Sequence, residues 1–219
     1  MRFVLDYLRP GDVFVDVGAN VGSYTLLAGK VPGVHVVAFE PASSTFSRLS
    51  ENVVLNRLTN VTLHQCAVGQ ADTEALLTLD NDTMNQIVPV GDESGRTEKV
   101  RMVRLDTIIG DQSDVALVKI DVEGHEPEVL AGAEQLLRRC RPALIVEYND
   151  HGRLTKFFNQ VDYRPVFYRP DERKIQPLRT SPDGRIAASA RPGHSANIIA
   201  VAAENLDHGV QRRLTATTG

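Results

Sequence analysis

Between Val13 and Tyr148, short runs of apolar and largely β-branched residues take turns with stretches of helical period, and this alternation restricts the fold more than any other feature. Residues 13–17 follow the turn residues Pro10 and Gly11 and read as a first strand. Tyr24, Leu27, Ala28 and Val31 then fall on one helix face, which Pro32 and Gly33 stop. The same rhythm predicts a strand over 34–39, a helix over 44–58 with Phe46, Leu49 and Val53 inward, and a strand over 61–66. It pauses at 74–79 and 99–103, where apolar and polar residues alternate as in an antiparallel hairpin. Asp106 is the expected N-cap of a short helix.

The rhythm resumes with a nearly continuous apolar strand over 115–121, interrupted by Lys119. A helix opened by Pro127 follows, with Leu130, Ala133, Leu137 and Cys140 on one face, then a strand over 143–148. A helix around 154–161 and strands near 165–168 and 197–202 complete the set. Alternating strand–helix units of this kind predict an α/β fold: a Rossmann-like, doubly wound, mostly parallel seven-stranded sheet with an inserted β-hairpin after strand three. A single domain over 1–204 is expected, with 205–219 a frayed tail lacking apolar periodicity.

Composition narrows the function. The 219 residues carry a formal net charge of −4, so no global basic field would draw nucleic acid or an anionic membrane. The two cysteines, Cys66 and Cys140, read as reduced core thiols, and neither Cys-x-x-Cys nor His-rich metal spacing occurs. No stretch reads as a signal peptide or membrane span, and a cytoplasmic protein is expected.

In doubly wound sheets ligands bind beyond the carboxyl ends of the strands, and the unusual residues here lie there. The first strand runs into Asp16-Val17-Gly18-Ala19-Asn20-Val21-Gly22. Its glycines permit a tight turn and close approach to a ligand, but the Gly-x-x-x-Gly spacing lacks the third glycine of a dinucleotide fingerprint. Asp16 would repel a diphosphate and attract the ammonium of a methionine moiety. The second strand ends in Phe39-Glu40-Pro41, with Glu40 placed to accept the ribose hydroxyls of an adenosine. Cys66-Ala67-Val68-Gly69 would supply backbone and apolar contacts to the adenine. Together these point to S-adenosyl-L-methionine.

The densest polar segment is Lys119-Ile120-Asp121-Val122-Glu123-Gly124-His125-Glu126. Strand alternation puts Lys119, Asp121 and Glu123 on one face. The lysine needs a carboxylate partner, Asp121 or Asp16. Asp121 would line the sulfonium end of the cofactor. His125 is the leading general base for an acceptor hydroxyl, because imidazole titrates near pH 6.5. Glu123, Glu126 or Glu147 could orient or replace it. The alternative for His125 is a plain cap on the helix opened by Pro127, and the glutamates could merely complement that helix dipole.

These motifs, with Asn52 and Asn56, Leu105-Asp106 and the proline-led strand from Pro142 to Glu147, resemble the FkbM-type methyltransferase family from about Pro10 to Tyr148. The resemblance implies a class I methyltransferase fold and transfer of the S-adenosyl-L-methionine methyl group to hydroxyls of small molecules, sugars, glycolipids or polyketide-type natural products. It maps Asp16, Gly18, Asn20, Glu40, Ala67 and Asp121 onto the cofactor site. Family members commonly carry helical segments ahead of the glycine motif, whereas about a dozen residues precede Asp16 here; a short or missing lid is expected, and homo-oligomerisation could supply the wall.

Several alternatives stay open at this level. One is an amine acceptor, another a SAM-binding protein without catalysis, and a third an NAD-linked oxidoreductase, disfavoured by Asp16. No metal ligand set is assigned, although Asp121 with Glu147, Asn149 or Asp150 could hold Mg²⁺. The 80–98 segment, with Met84, Asn85 and Gln86, and the 169–194 segment, with Arg169, Arg173, Lys174, Arg179, Arg185 and Arg191, should shape the acceptor pocket. The acceptor itself is expected to be a small molecule, a sugar or a lipid-linked group.

Overall fold

A computed structural model describes residues 1–79, 85–88, 95–111, 114–148, 151–178, 197–206 and 209–215. In chain order the elements are α1 (Arg2–Tyr7), β1 (Val13–Val17), α2 (Ser23–Gly29), β2 (His35–Phe39), α3 (Ser43–Leu55), β3 (Val61–His64), β4 (Ala67–Val68), β5 (Thr73–Thr78), β6 (Ile87–Val88) and β7 (Thr97–Val103). There follow α4 (Leu105–Ile109), β8 (Val115–Ile120), α5 (Glu126–Ala131), α6 (Glu134–Cys140), β9 (Ala143–Glu147), α7 (His151–Gln160), β10 (Tyr163–Arg169), β11 (Lys174–Pro177), β12 (Asn197–Ala202) and α8 (Gly209–Thr215).

The main sheet has eight strands in the order β11-β10-β12-β9-β8-β1-β2-β3. From β3 to β9 every pairing is parallel. From β9 outward through β12 and β10 to β11 every pairing is antiparallel. The seven-strand expectation is therefore one short, and the sheet is mixed. The strand not foreseen is β11, an edge strand whose residues are exposed or half-buried, so it carries little apolar signal.

The central parallel strands β1, β8 and β9 are buried on both faces, as β8 shows with six buried residues in a row. Alternation divides them between two cores. Val15, Val17, Val118 and Ile120 pack with Leu130, Leu137 and Phe158 on one side of the sheet. Phe14, Leu117 and Ile145 pack with Phe3, Leu49, Val53 and Leu214 on the other. The expected inserted hairpin grows into a second, four-stranded sheet, β4-β7-β5-β6. Its own core of Ala67, Ala75, Leu77 and Val100 closes against Ala42 at the head of α3.

Three further expectations change. The helix opened by Pro127 is two helices, α5 and α6, broken at Gly132. A Cβ at Gly132 would overlap the carbonyl oxygen of Gly69, so the chain passes too close there for any side chain. Asp106 does not cap its own helix, α4, whose N-cap is Arg104. Its carboxylate instead accepts from Gln135 N at 3.3 Å and Leu136 N at 2.9 Å, which caps α6. The segment expected to fray forms α8 and buries Val210 and Leu214 against the second core. No helix among the described residues is long and apolar enough to cross a membrane.

Candidate functional site

The carboxyl ends of β1, β2, β8 and β9 converge on one edge, where a cleft of about 660 Å³ opens between the main sheet and the inserted one. The main sheet supplies Val17, Gly18, Asn20, Phe39, Glu40 and Pro41, together with Asp121, Glu123 and His125. The inserted sheet and the turns beside it supply Cys66, Ala67, Val68, Leu77, Asn85 and Ile87.

Gly18 has φ +72, and a Cβ there would overlap the carbonyl oxygen of Asp121, so only glycine lets the β1 and β8 ends meet. The chain then turns through Asn20, also left-handed at φ 52, whose side chain accepts from Val21 N at 2.7 Å. Asn20 N donates to Glu40 Oε2 and Ala42 N to Glu40 Oε1, both at 3.0 Å. Glu40 is thereby fixed at the cleft edge with lone pairs to spare. Burial pushes its carboxyl above the usual range, and the two backbone donors oppose that shift. Asn52 adds a tie from α3 by donating to Val21 O at 2.9 Å.

Asp16 is placed otherwise than expected. Alternation along β1 turns Phe14 and Asp16 toward α2, so Asp16 is fully buried and does not line the cleft. Thr25 Oγ1 donates to its Oδ2 at 2.6 Å. Lys119, its neighbour in register on β8, brings Nζ to 3.5 Å from Oδ1. The same ammonium lies 3.4 Å from Asp121 Oδ2 and donates to Gly18 O at 2.7 Å. Lys119 thus takes both carboxylates foreseen for it and holds the glycine turn against β8. Gly22 sits at the head of α2, also outside the cleft lining.

Beyond β8 the chain turns through Glu123, at φ 54, and Gly124. Glu123 owes its place to this turn and not to strand alternation, since β8 ends at Ile120. Non-glycine residues held in the left-handed region cluster at functional sites; Asn20 and Glu123 both line the cleft. Glu126 is fully buried and accepts from Val122 N and Gly124 N, both at 3.1 Å, so it stabilises the turn. His125 occupies the N-cap position of α5 but makes no side-chain cap hydrogen bond. Its Nε2 is buried with no hydrogen-bond partner, and its Nδ1 lies 3.7 Å from Glu128 Oε2. Burial lowers the imidazole below its ordinary value, and Glu128 opposes that shift. Glu147, buried at the end of β9, brings its carboxylate to Asp121 and Glu123. Burial, then the charges of Glu147, Asp121 and Glu126, push the Glu123 carboxyl up to about 7.

Thr25, Thr45, Glu128 and the cleft residue Leu77 were not anticipated, whereas Ile87 lies in the 80–98 segment expected to shape the pocket. Glu128 lies three residues past His125, so helical spacing would have found it, whereas Thr25 reaches Asp16 only across the glycine turn. Leu77 reads as an ordinary strand residue, and only the placement of the inserted sheet reveals it. Of the two segments expected to shape the acceptor pocket, the first contributes Asn85, and Gln86 donates to Glu123 O at 3.2 Å. In the second, Arg169 pairs with Glu172 at 2.8 Å and Arg173 with Asp6 at 3.5 Å, and neither lines the cleft. Met84, Asn149, Asp150, Arg179, Arg185 and Arg191 lie outside the described residues.

Comparison with known proteins agrees with this geometry. The family model described as the methyltransferase FkbM domain matches residues 16–165. A 31-O-demethyl-FK506 methyltransferase, FkbM, from Streptomyces tacrolimicus is 36% identical over 163 residues, 58% of this chain and 61% of that one. A hexuronic acid methyltransferase, AglP, from Haloferax volcanii is 30% identical over 142 residues, 63% of this chain and 56% of its own. The chain thus spans about three fifths of the length of the curated relatives it matches. A crystal structure of methyltransferase FkbM from Methylobacillus flagellatus superposes with a TM-score of 0.57 at 19% identity, over 90% of this chain and 49% of the other. The match in order and position of these motifs leaves one assignment: the chain belongs to the FkbM-type methyltransferase family, whose methyl donor is S-adenosyl-L-methionine.

Proposed function

We propose that this protein transfers the methyl group of S-adenosyl-L-methionine to a hydroxyl of a small molecule or sugar. The observation that carries the reading is the joint placement, at one cleft, of Glu40 and of His125 with a buried, unpartnered Nε2. The donor set suits the cofactor. Each Glu40 oxygen accepts a single backbone N–H and keeps a lone pair for a ribose diol. Phe39, Ala67 and Val68 offer apolar surface to an adenine, and Asp121 borders the position assigned to the sulfonium. Pro41 shapes the same wall. Asp16 and Gly22 act from behind it, through Lys119 and through the fold of the turn.

When bound, S-adenosyl-L-methionine supplies an electrophilic methyl on a sulfonium. An acceptor oxygen forms the new C–O bond as the C–S bond breaks, and its electron pair leaves on sulfur as S-adenosylhomocysteine. The protein's part is positioning, exclusion of water and removal of one proton. His125 Nε2, free to accept, takes the hydroxyl proton. Glu128, beside Nδ1, favours the tautomer that keeps Nε2 unprotonated. Glu123 is the second candidate base, since burial and the neighbouring carboxylates push its carboxyl up to about 7.

Relatives named for an FK506 hydroxyl and for a hexuronic acid support an oxygen acceptor. Incubation with methyl-labelled cofactor and a panel of glycosides, hydroxylated polyketides and matched amines tests the proposal. Label should enter alcohols; label confined to amines would overturn the hydroxyl assignment.

A further inference from the structure

The ends of β8 and β9 carry a cluster of three carboxylates, one of which, Glu147, has no part in hydroxyl methylation as described above. Asp121, Glu123 and Glu147 each present one carboxylate oxygen, and these three oxygens lie within 4.8 Å of one another. Parallel pairing aligns Ile120 with Val146, so the residues that follow each strand meet side by side. Glu123 joins them through its left-handed turn.

Acidic clusters are common on protein surfaces and need no ion, but this one differs at its base. Glu147 is 5% exposed, and its Oε2 is buried with no hydrogen-bond partner among the described residues. A buried carboxylate oxygen with no donor is costly and calls for a partner. Among the described residues, Lys119 is the one cation within ion-pair distance of the three, at 3.4 Å from Asp121, and it is shared with buried Asp16. Glu147 therefore brings a carboxylate with one unsatisfied oxygen up against two further carboxylates.

We infer that Asp121, Glu123 and Glu147 form a binding site for a hard divalent cation of the Mg²⁺ or Mn²⁺ kind. Carboxylate oxygens are the ligands such ions prefer, and with an ion about 2.0–2.6 Å from each ligand, oxygens up to roughly 5 Å apart can share it. Three ligands leave further coordination positions open. Asp121 and Glu123 line the cleft, so those positions face the acceptor. A hydroxyl oxygen bound there would have its pKa lowered, which eases the proton removal assigned to His125. That catalytic use rests on the hydroxyl-methylation reading, whereas the binding of the ion does not.

The test uses the full chain stripped with EDTA and titrated with MnCl₂, reading free Mn²⁺ by electron paramagnetic resonance. The site predicts one Mn²⁺ per chain, displaced by excess Mg²⁺, with binding at least tenfold weaker in Glu147→Gln and in Glu123→Gln. Cooperative thermal unfolding of each variant is checked first. If Glu147→Gln fails to fold, Glu123→Gln, whose residue sits in a half-exposed turn, decides the matter alone. Mn²⁺ binding that is absent, or equal in wild type and variants, overturns the site. Calorimetry of S-adenosylhomocysteine on the same stripped protein keeps the two ideas apart. Cofactor binding without Mn²⁺ binding removes the ion and leaves the methyltransferase; Mn²⁺ binding without cofactor binding does the reverse.

Discussion

Asp16, near the end of β1, and His125, in the cleft, have opposite tasks set by their surroundings. Asp16 is wholly enclosed, its charge spent on Thr25 and Lys119. Removing one member of a buried ion pair leaves the other uncompensated, so Asp16→Ala should destabilise the fold by about 3–5 kcal/mol, seen as a lower urea midpoint. A variant with wild-type stability and abolished cofactor binding would instead make Asp16 a direct ligand. His125 lines the cleft and holds a buried imidazole nitrogen with no partner. His125→Ala should leave S-adenosylhomocysteine affinity unchanged and lower turnover by roughly 10²–10⁴-fold. Unaltered turnover would take the histidine out of proton transfer. The sequence disclosed which residues matter here better than which way they face. A carboxylate two positions before a glycine turn looks ligand-directed until β1 is seen to turn it toward α2.

Elements behaved according to how much apolar signal each carries. β1, β8 and β9 were readable because strands buried on both faces are almost uninterrupted hydrophobic runs. α1 escaped notice because six residues with Phe3, Val4 and Tyr7 buried offer less than two turns of pattern. The α5–α6 break was invisible because Leu130, Ala133, Leu137 and Cys140 keep helical spacing across Gly132. Its cause is a tertiary contact with Gly69 that no local rule contains. Asp106 closes the head of α6 from another element, and Asp106→Ala should cost about 1 kcal/mol in chemical unfolding.

α1 also fixes a pH dependence. Burial alone would raise the Asp6 carboxyl, but hydrogen bonds from Arg2 and Tyr168 and the charge of Arg173 outweigh it and hold the group below its usual range. A carboxyl depressed in the folded state adds stability that is complete above its unfolded value near 3.9 and is lost as pH falls through the folded one. Thermal melting below about pH 4 should therefore depend less on pH in Asp6→Asn than in the wild type. Parallel curves for the two proteins would remove Asp6 from the acid response.

On the scale of the whole molecule, two cores clamp a mixed sheet, and the inserted sheet overhangs the edge where its parallel strands end. The alternating pattern makes that edge predictable from sequence, since parallel strand–helix units bring the carboxyl ends of their strands to one side. It could not disclose the hairpin return through β11 or the docking of α8, both of which lie where the apolar rhythm has faded. Leu214 is fully buried beneath α8, so Leu214→Ala should cost about 2–5 kcal/mol. A loss under about 0.5 kcal/mol, the size of an ordinary surface change, would mean that the helix is not part of the cooperative unit.

The most direct measurement is calorimetric titration of S-adenosylhomocysteine, with NAD in parallel, into the wild type and Glu40→Ala. One S-adenosylhomocysteine should bind per wild-type chain, NAD should not bind, and the Glu40 variant should unfold cooperatively yet bind at least tenfold more weakly. Binding of NAD in place of S-adenosylhomocysteine, or equal affinity in the two proteins, would contradict the assignment of this cleft.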